Sequence, residues 1–171
     1  MKKFFVVIAC FFTLCLCACV PHEATYQTTY NSQEILKIET VWNEGFAPFR
    51  RDFVRTFDFQ HGKVTDTWKA DEKDLDNEIR EQYNNPKNIA TFTEEQGQTL
   101  IDTIGALGFF DWAEQYKTDD VIYDAGTHCV NVYFADGEKK STLIYFLDPP
   151  HYAEIREAIE NAFGVTMYLQ L

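Results

Sequence analysis

Residues 128–146 read HCVNVYFADGEKKSTLIYF, two runs of alternating apolar and polar residues on either side of Asp136-Gly137. Period-two alternation is the signature of a half-buried strand, and Asp-Gly between two such runs is a strong hairpin signal, since a two-residue turn wants positive φ at both central positions. The stretch therefore predicts an antiparallel hairpin rather than a strand feeding a parallel crossover, and this decides the fold class.

Working outward, Asp148 can cap a helix with Pro149 at its first position. Tyr152, Ile155, Ile159 and Phe163 form that helix's apolar stripe, and Gly164 closes it. The terminal VTMYLQL alternates Val165, Met167, Leu169 and Leu171, which predicts a last strand in the sheet.

Upstream, DFVRTFDFQ and KVTDTWK flank His61-Gly62 and predict a second hairpin. Phe53, Phe57 and Phe59 share one face, as do Val64, Asp66 and Trp68. Arg55 sits among the aromatics, where it marks an edge, a bulge or a pairing with Asp66. Residues 35–42 alternate as a further strand. Residues 70–90 are charged and amide-rich, with weak spacing at Leu75, Ile79 and Tyr83 that allows a short helix ending at Asn84-Asn85-Pro86.

Thr93 with Gln96 makes a capping box, Leu100, Ile101, Ile104 and Leu107 fall on one stripe, and Gly108 stands at the C′ position. Gly97 and Gly105 inside this helix suggest close approach to the sheet. FFDWAEQY adds a short helical turn. The element order gives an α+β fold: a mainly antiparallel sheet of 5–6 strands with two principal helices packed on one face.

The N-terminus carries a different message. Met1-Lys2-Lys3 precedes a run, Phe4 to Leu16, that is apolar except for Thr13, the n-region and h-region of an export signal. Leu16-Cys17-Ala18-Cys19 then resembles the lipobox of bacterial lipoproteins, which implies lipidation of Cys19 and removal of what precedes it. The organisation expected is a lipoprotein signal peptide over 1–18, a tether over 19–33 and a single domain over 34–171. An uncleaved anchor is the rival, because Phe4 to Val20 just reaches the roughly 17 residues that span a bilayer. Cleavage without lipid, and metal binding by the clustered cysteines, are weaker readings. Val20 is not the aspartate that favours inner-membrane retention, so a cell with two membranes would place the protein in the outer one.

Further stretches, GFAPFRRDFVRTFDFQHGKV, FTEEQGQTLIDTIGALGFFDWAEQY, DDVIYDAGTHCVNVYFADGEKK and PPHYAEIREAIENAF, resemble a domain of uncharacterised bacterial lipoproteins. The resemblance implies a fold and an anchor, and no activity or ligand.

Composition narrows the function classes. The 171 residues carry 15 basic and 27 acidic side chains; losing Lys2 and Lys3 with the signal leaves 13 basic groups. That balance opposes nucleic acid and anionic lipid surfaces. Cys129 is the one cysteine outside the first 19 residues, so no internal disulfide framework is expected. Fifteen Phe argue for a well-filled core.

Residues in patterns that carry chemistry are sparse. Serine occurs only at 32 and 141, outside any Gly-x-Ser-x-Gly elbow. His128 and Cys129 are neighbours on a strand and point to opposite faces. His61-Gly62-Lys63 lacks the rest of a phosphate loop, and Asp71, Glu72, Asp74, Asp76 and Glu78 lack the glycine of a calcium loop. The best candidate ligand cluster is Tyr116, Asp119, Asp120, Asp124 and His128, together with Tyr123, in the loop entering the 128–134 strand. A loop with Phe46, Phe49 and Arg50-Arg51 could form a protein contact. The expectation is a non-enzymatic, membrane-anchored extracytoplasmic binding domain. It has no cofactor, no metal and no nucleic-acid partner; it meets the membrane through lipid on Cys19 and an envelope protein beyond it. The alternative is a metal- or small-ligand-dependent enzyme or binder using the Asp119–His128 loop; a third is a purely structural surface protein.

Overall fold

The computed structural model describes residues 34–43, 51–70, 86–118 and 127–168. The expectations for Cys19, the tether, Phe46, Phe49, Arg50, the 71–85 segment and Asp119, Asp120, Tyr123 and Asp124 lie outside them.

The chain forms β1 (Ile35–Asn43), β2 (Arg51–Asp58), β3 (Lys63–Ala70), β4 (Lys87–Thr91), α1 (Glu94–Ala106), a 3₁₀ turn (Phe109–Asp111), β5 (Gln115–Lys117), β6 (Thr127–Phe134), β7 (Lys139–Tyr145) and α2 (Tyr152–Phe163). The seven strands make one sheet in the order β4-β3-β2-β1-β6-β7-β5, antiparallel except for the short β5–β7 pair. This is the α+β class that the hairpin signals predicted, with two edge strands more than the clear alternation revealed.

Both helices pack on one sheet face. Ile38, Phe57, Val64, Val130, Val132 and Ile144 point into a core completed by Leu100, Ile101, Ile104, Ile155 and Ile159. The helices run antiparallel: the Phe92 ring before α1 stacks 4.3 Å from Phe163 at the end of α2, while Trp112 beyond α1 meets Tyr152 at the start of α2. The capping box forms as read, with Thr93 Oγ1 accepting from Gln96 N and Gln96 Oε1 accepting from Thr93 N. The rings of Phe92 and Phe59 lie so near Gly97 that a Cβ would sit 3.1–3.2 Å from them, which explains that glycine; Gly105 packs on Phe110 instead of the sheet.

Four expectations change, each for a physical reason. The Asp136-Gly137 turn is longer than two residues: Gly137 N donates to Phe134 O, Phe134 N donates to Glu138 O, and of the two central residues only Gly137 has positive φ. Asp136 instead uses its carboxylate to accept from Glu138 N at 2.9 Å. The second helix starts at Tyr152, with left-handed His151 at its N-cap, not at Pro149. A residue before proline is disfavoured in helix, so Pro150 forbids a helical Pro149.

The FFDWAEQY segment makes only the 3₁₀ turn before becoming β5. Trp112 is buried and donates its indole N–H to Pro150 O, which draws the chain out of the helical path. Finally, residues 165–168 form no strand. Gly164 turns the chain back over the sheet, whose two edges are already held by β4 and β5.

What holds that returning segment is Arg55. The side chain is 4% exposed, on the helix-facing side of the sheet, and pairs in a two-pronged fashion with Asp66, Nε and Nη2 each 2.8 Å from a carboxylate oxygen. Its Nη1 donates to Thr166 O and Thr166 Oγ1. Thr40 Oγ1 donates to Met167 O at 2.7 Å. Of the three readings of Arg55, the pairing with Asp66 is the one realised. Arg55→Met would strand a buried carboxylate and is expected to cost ~3–5 kcal/mol. Arg55→Met combined with Asp66→Leu should be the more stable of the two variants in urea unfolding, and a double variant no better than the single one would contradict this account.

Candidate functional site

The sheet has two unlike poles. At one, Ile35 pairs with Phe134, and the connections are the tight turns 59–62 and 135–138. Gly62 has φ +58, and a Cβ there would lie 2.4 Å from Phe92 O, so the first turn admits no side chain. At the other pole, Trp42 pairs with His128 and Asn43 with Thr127. The connections 44–50, 71–85 and 119–126 leave the sheet there, from Asn43, Ala70 and Thr118. Loops on a rigid sheet are where binding groups collect.

His128 opens β6 at this loop pole. Its ring stands at 69° to that of Tyr168, centroids 4.3 Å apart, and 6.5 Å from Trp42. Tyr168 arrives on the segment clamped by Arg55 and Thr40 and is 7% exposed. Neither His128 Nδ1 nor the Tyr168 hydroxyl has a hydrogen-bond partner among the described residues. Buried polar atoms without partners are uncommon and costly.

Tyr152, Asp148 and Arg156 surround the pair from α2 and the segment before it. Burial holds the His128 imidazole below its ordinary range, with the Arg156 guanidinium adding to this and the Asp148 carboxylate opposing it. Burial, followed by the neighbouring Tyr152 hydroxyl, pushes Tyr168 well above the usual tyrosine value. Burial also raises Tyr152, against the Tyr168 hydroxyl and Arg156. At neutral pH the cluster is thus an uncharged imidazole against the Tyr168 phenol, with Tyr152 beside that phenol.

Of the sequence-derived cluster, Tyr116 and His128 are described. Tyr116 lies opposite Ile144, and Ile144 opposite His128, so the two share a row with β7 between them. They do not converge: the Tyr116 hydroxyl accepts from Ala113 N at 3.0 Å and closes its own turn. No group of three His, Cys, Asp or Glu side chains among the described residues could hold a metal ion. Cys129 does point away from His128. Its thiol lies 3.6 Å from Asn131 Oδ1, and burial raises its pKa, which keeps it a thiol rather than a nucleophilic thiolate. Ser141 donates to the same Asn131 oxygen at 2.8 Å.

Two features went unread in the sequence. On the sheet face away from the helices, Tyr133 donates to Glu39 Oε2 at 2.7 Å, Lys37 pairs with Glu39 Oε1 at 2.6 Å, and Lys37 and Lys139 lie over the Tyr133 ring. Loss of hydration and the Glu39 contact push Tyr133 up to about 12. The alternation of residues 35–42 already put Lys37 and Glu39 on one side, but only the strand register brings Tyr133 to them. The second feature is apolar and exposed. Phe146 (45%) and Leu147 (50%) follow β7 at the loop pole, and Leu143 lies on the same strand. Phe146 has φ 62, rare for a bulky residue. The signal was present, since Phe146-Leu147 continues the apolar run past the end of alternation and into Asp148-Pro149-Pro150.

No protein-family model, curated protein or solved structure matches this chain.

The titrations give signed predictions. Unfolded His128 takes a proton near 6.5 and the folded residue resists it, so its contribution to stability is present above that pH and is lost as pH falls below it. His128→Gln should therefore flatten the fall in Tm between pH 7 and pH 5 relative to wild type, and parallel curves would count against the assignment. Tyr133 is raised in the fold, so its contribution is full below 10 and is lost between 10 and about 12. Tyr133→Phe should remove that alkaline loss in the same measurement.

Proposed function

We propose that this protein is a membrane-anchored extracytoplasmic lipoprotein, lipidated at Cys19, whose domain binds an envelope protein without catalysing a reaction. The lipobox resemblance and the acidic domain behind it support the anchor. The observation that carries the binding reading is the Phe146-Leu147 pair, held in water at the loop pole by a left-handed Phe146 backbone. Strained, exposed aromatic positions persist where the surrounding structure over-determines them, and they cluster at ligand-contacting sites. Two such side chains form a small apolar contact of the kind that anchors protein interfaces.

Orientation supports the same reading. The tether meets the domain at Glu34, which accepts from Ala135 N at the opposite pole. A strand of nine residues such as β1 is about 30 Å long. Phe146 and Leu147 are therefore at the end of the sheet away from Glu34, where the described domain begins. In a two-membrane cell the outer membrane is the location favoured.

A second reading rests on the unpartnered His128 Nδ1 and Tyr168 hydroxyl: a small ligand or metal held there with Asp119, Asp120 and Asp124. Divalent ions should then raise Tm in wild type and leave Asp120→Asn/Asp124→Asn unmoved; no stabilisation by any ion removes this reading.

The leading proposal is checked by crosslinking in native membranes followed by mass spectrometry. One protein should be recovered reproducibly with wild type, and about tenfold less with Phe146→Ser/Leu147→Ser, a change large enough to reflect loss of a hot spot. Equal recovery with that variant, at wild-type Tm, would sink the docking role of the pair. Loss of the same protein with Cys19→Ala would place the interaction at the membrane surface.

A further inference from the structure

α1 and α2 lie side by side over the sheet, and between their outer faces runs a groove of about 430 Å³. It follows α1 from Thr99 to Leu107, about 12 Å or two helical turns. Its lining is small and largely apolar. Ala158 and Ala162 come from α2, one turn apart, and Leu107 closes one end. From α1 come Thr99 and Thr103, also one turn apart, whose hydroxyls donate back to the Glu95 and Thr99 carbonyls at 2.8 and 2.7 Å. With the hydroxyls occupied in this way, the threonines offer the groove their methyl groups. Small side chains on both walls let the backbone of a third helix approach to the roughly 8–10 Å at which helices pack.

Charge names the kind of helix. α1 exposes Glu94, Glu95 and Asp102 and carries no Lys or Arg, while α2 exposes Glu154, Glu157 and Glu160 with Arg156 alone against them. The Arg156 guanidinium lies over the Tyr152 ring, 5.7 Å from its centroid. Among the described residues no Lys or Arg pairs with any of these six carboxylates, and Glu154 meets His151 at 3.4 Å. Neither helix has a basic residue in its last turn. Negative potential along an apolar groove favours a cationic partner. It opposes a second copy of this chain, which would bring the same carboxylates to face these, and it opposes an anionic lipid surface.

We propose that the α1–α2 groove takes an amphipathic helix of another protein, its alanine- to leucine-sized side chains at i, i+4 and i+7 seated between the two pairs of small residues, its flanking lysines or arginines facing Glu154 and Glu157. The site shares no side chain with the Phe146-Leu147 contact and goes beyond that reading, so either can fail while the other stands.

The probe is a synthetic helix of about 18 residues, or five turns, with leucine and alanine on one stripe and lysine on both flanks. It is titrated into the full-length protein in a non-ionic detergent while amide and methyl chemical shifts are followed. Saturable shifts should centre on Thr99, Thr103, Ala158 and Ala162. Ala158→Phe, which fills the groove, should weaken binding at least about tenfold at wild-type Tm. Thr103→Lys, at an exposed helix position, should do the same by charge and decides the matter if Ala158→Phe disturbs the fold. Glu154→Gln/Glu157→Gln should weaken binding about three- to tenfold and blunt its salt dependence. Shifts that bypass the groove, equal binding of the same peptide with glutamate flanks, or indifference to Thr103→Lys overturns the proposal. Groove shifts that grow with protein concentration in the absence of peptide also overturn it, by assigning the groove to a second copy.

Discussion

A guanidinium buried under two helices has to be answered by something, and at Arg55 it is answered from both directions of the chain. Asp66 on the neighbouring strand supplies the charge, and Thr166 supplies a carbonyl and a hydroxyl. An ion this deep is tolerated only when its donors are occupied. The residues after α2 are therefore bound to the sheet by the requirements of Arg55 rather than by strand pairing. Thr40, 0% exposed, fixes the next carbonyl along at Met167. Tyr168 is delivered to His128 as a result, so the buried cluster at the loop pole is built on an ion pair formed elsewhere in the sheet.

The two sheet faces solve different problems. Toward the helices, large apolar side chains and the stacked rings of Phe57, Phe92 and Phe163 fill the interior. On the other face, Glu39 pairs with Lys37 and accepts from Tyr133, whose ring carries Lys37 and Lys139, a network across three strands. The described polar atoms of that network are partnered, which marks it as a brace. The exposed Phe146-Leu147 pair and the unpartnered His128 and Tyr168 atoms are unlike it, and both lie at the loop pole.

Much of the architecture was legible because it rests on local rules. Thr93 and Gln96 announce a helix start through their own hydrogen bonds, and the runs around Asp136-Gly137 and His61-Gly62 announce hairpins through alternation. What stayed hidden depends on distant partners. β4 and β5 are short edge strands whose conformation is imposed by β3 and β7, and β5 exists because Trp112 reaches Pro150. Val165 to Tyr168 alternates like a strand, yet its carbonyls go to Arg55 and Thr40, which no periodicity reveals. At the candidate site, His128 was singled out for its carboxylate-rich loop, while the atoms beside it, on Tyr168 and Tyr152, come from other elements that no spacing rule links to it.

The order of strands across the sheet also governs how such a chain can be made. The first strand among the described residues, β1, lies at the centre, where Thr40 faces Arg55 on one side and Val130 on the other. A chain emerging N-terminus first, from a ribosome or through an export channel, can zip β1 to β2 and β3 early. It must then hold one flank of its central strand unpaired until β6 appears, and non-local pairing of this kind is slow. The bonds from Arg55 to Thr166, 111 residues on, cannot form until the segment after α2 has come through. Closure of the sheet's centre and of the Arg55 clamp is thereby deferred until β6 and the segment after α2 are both available, and the earlier strands stay threadable until then.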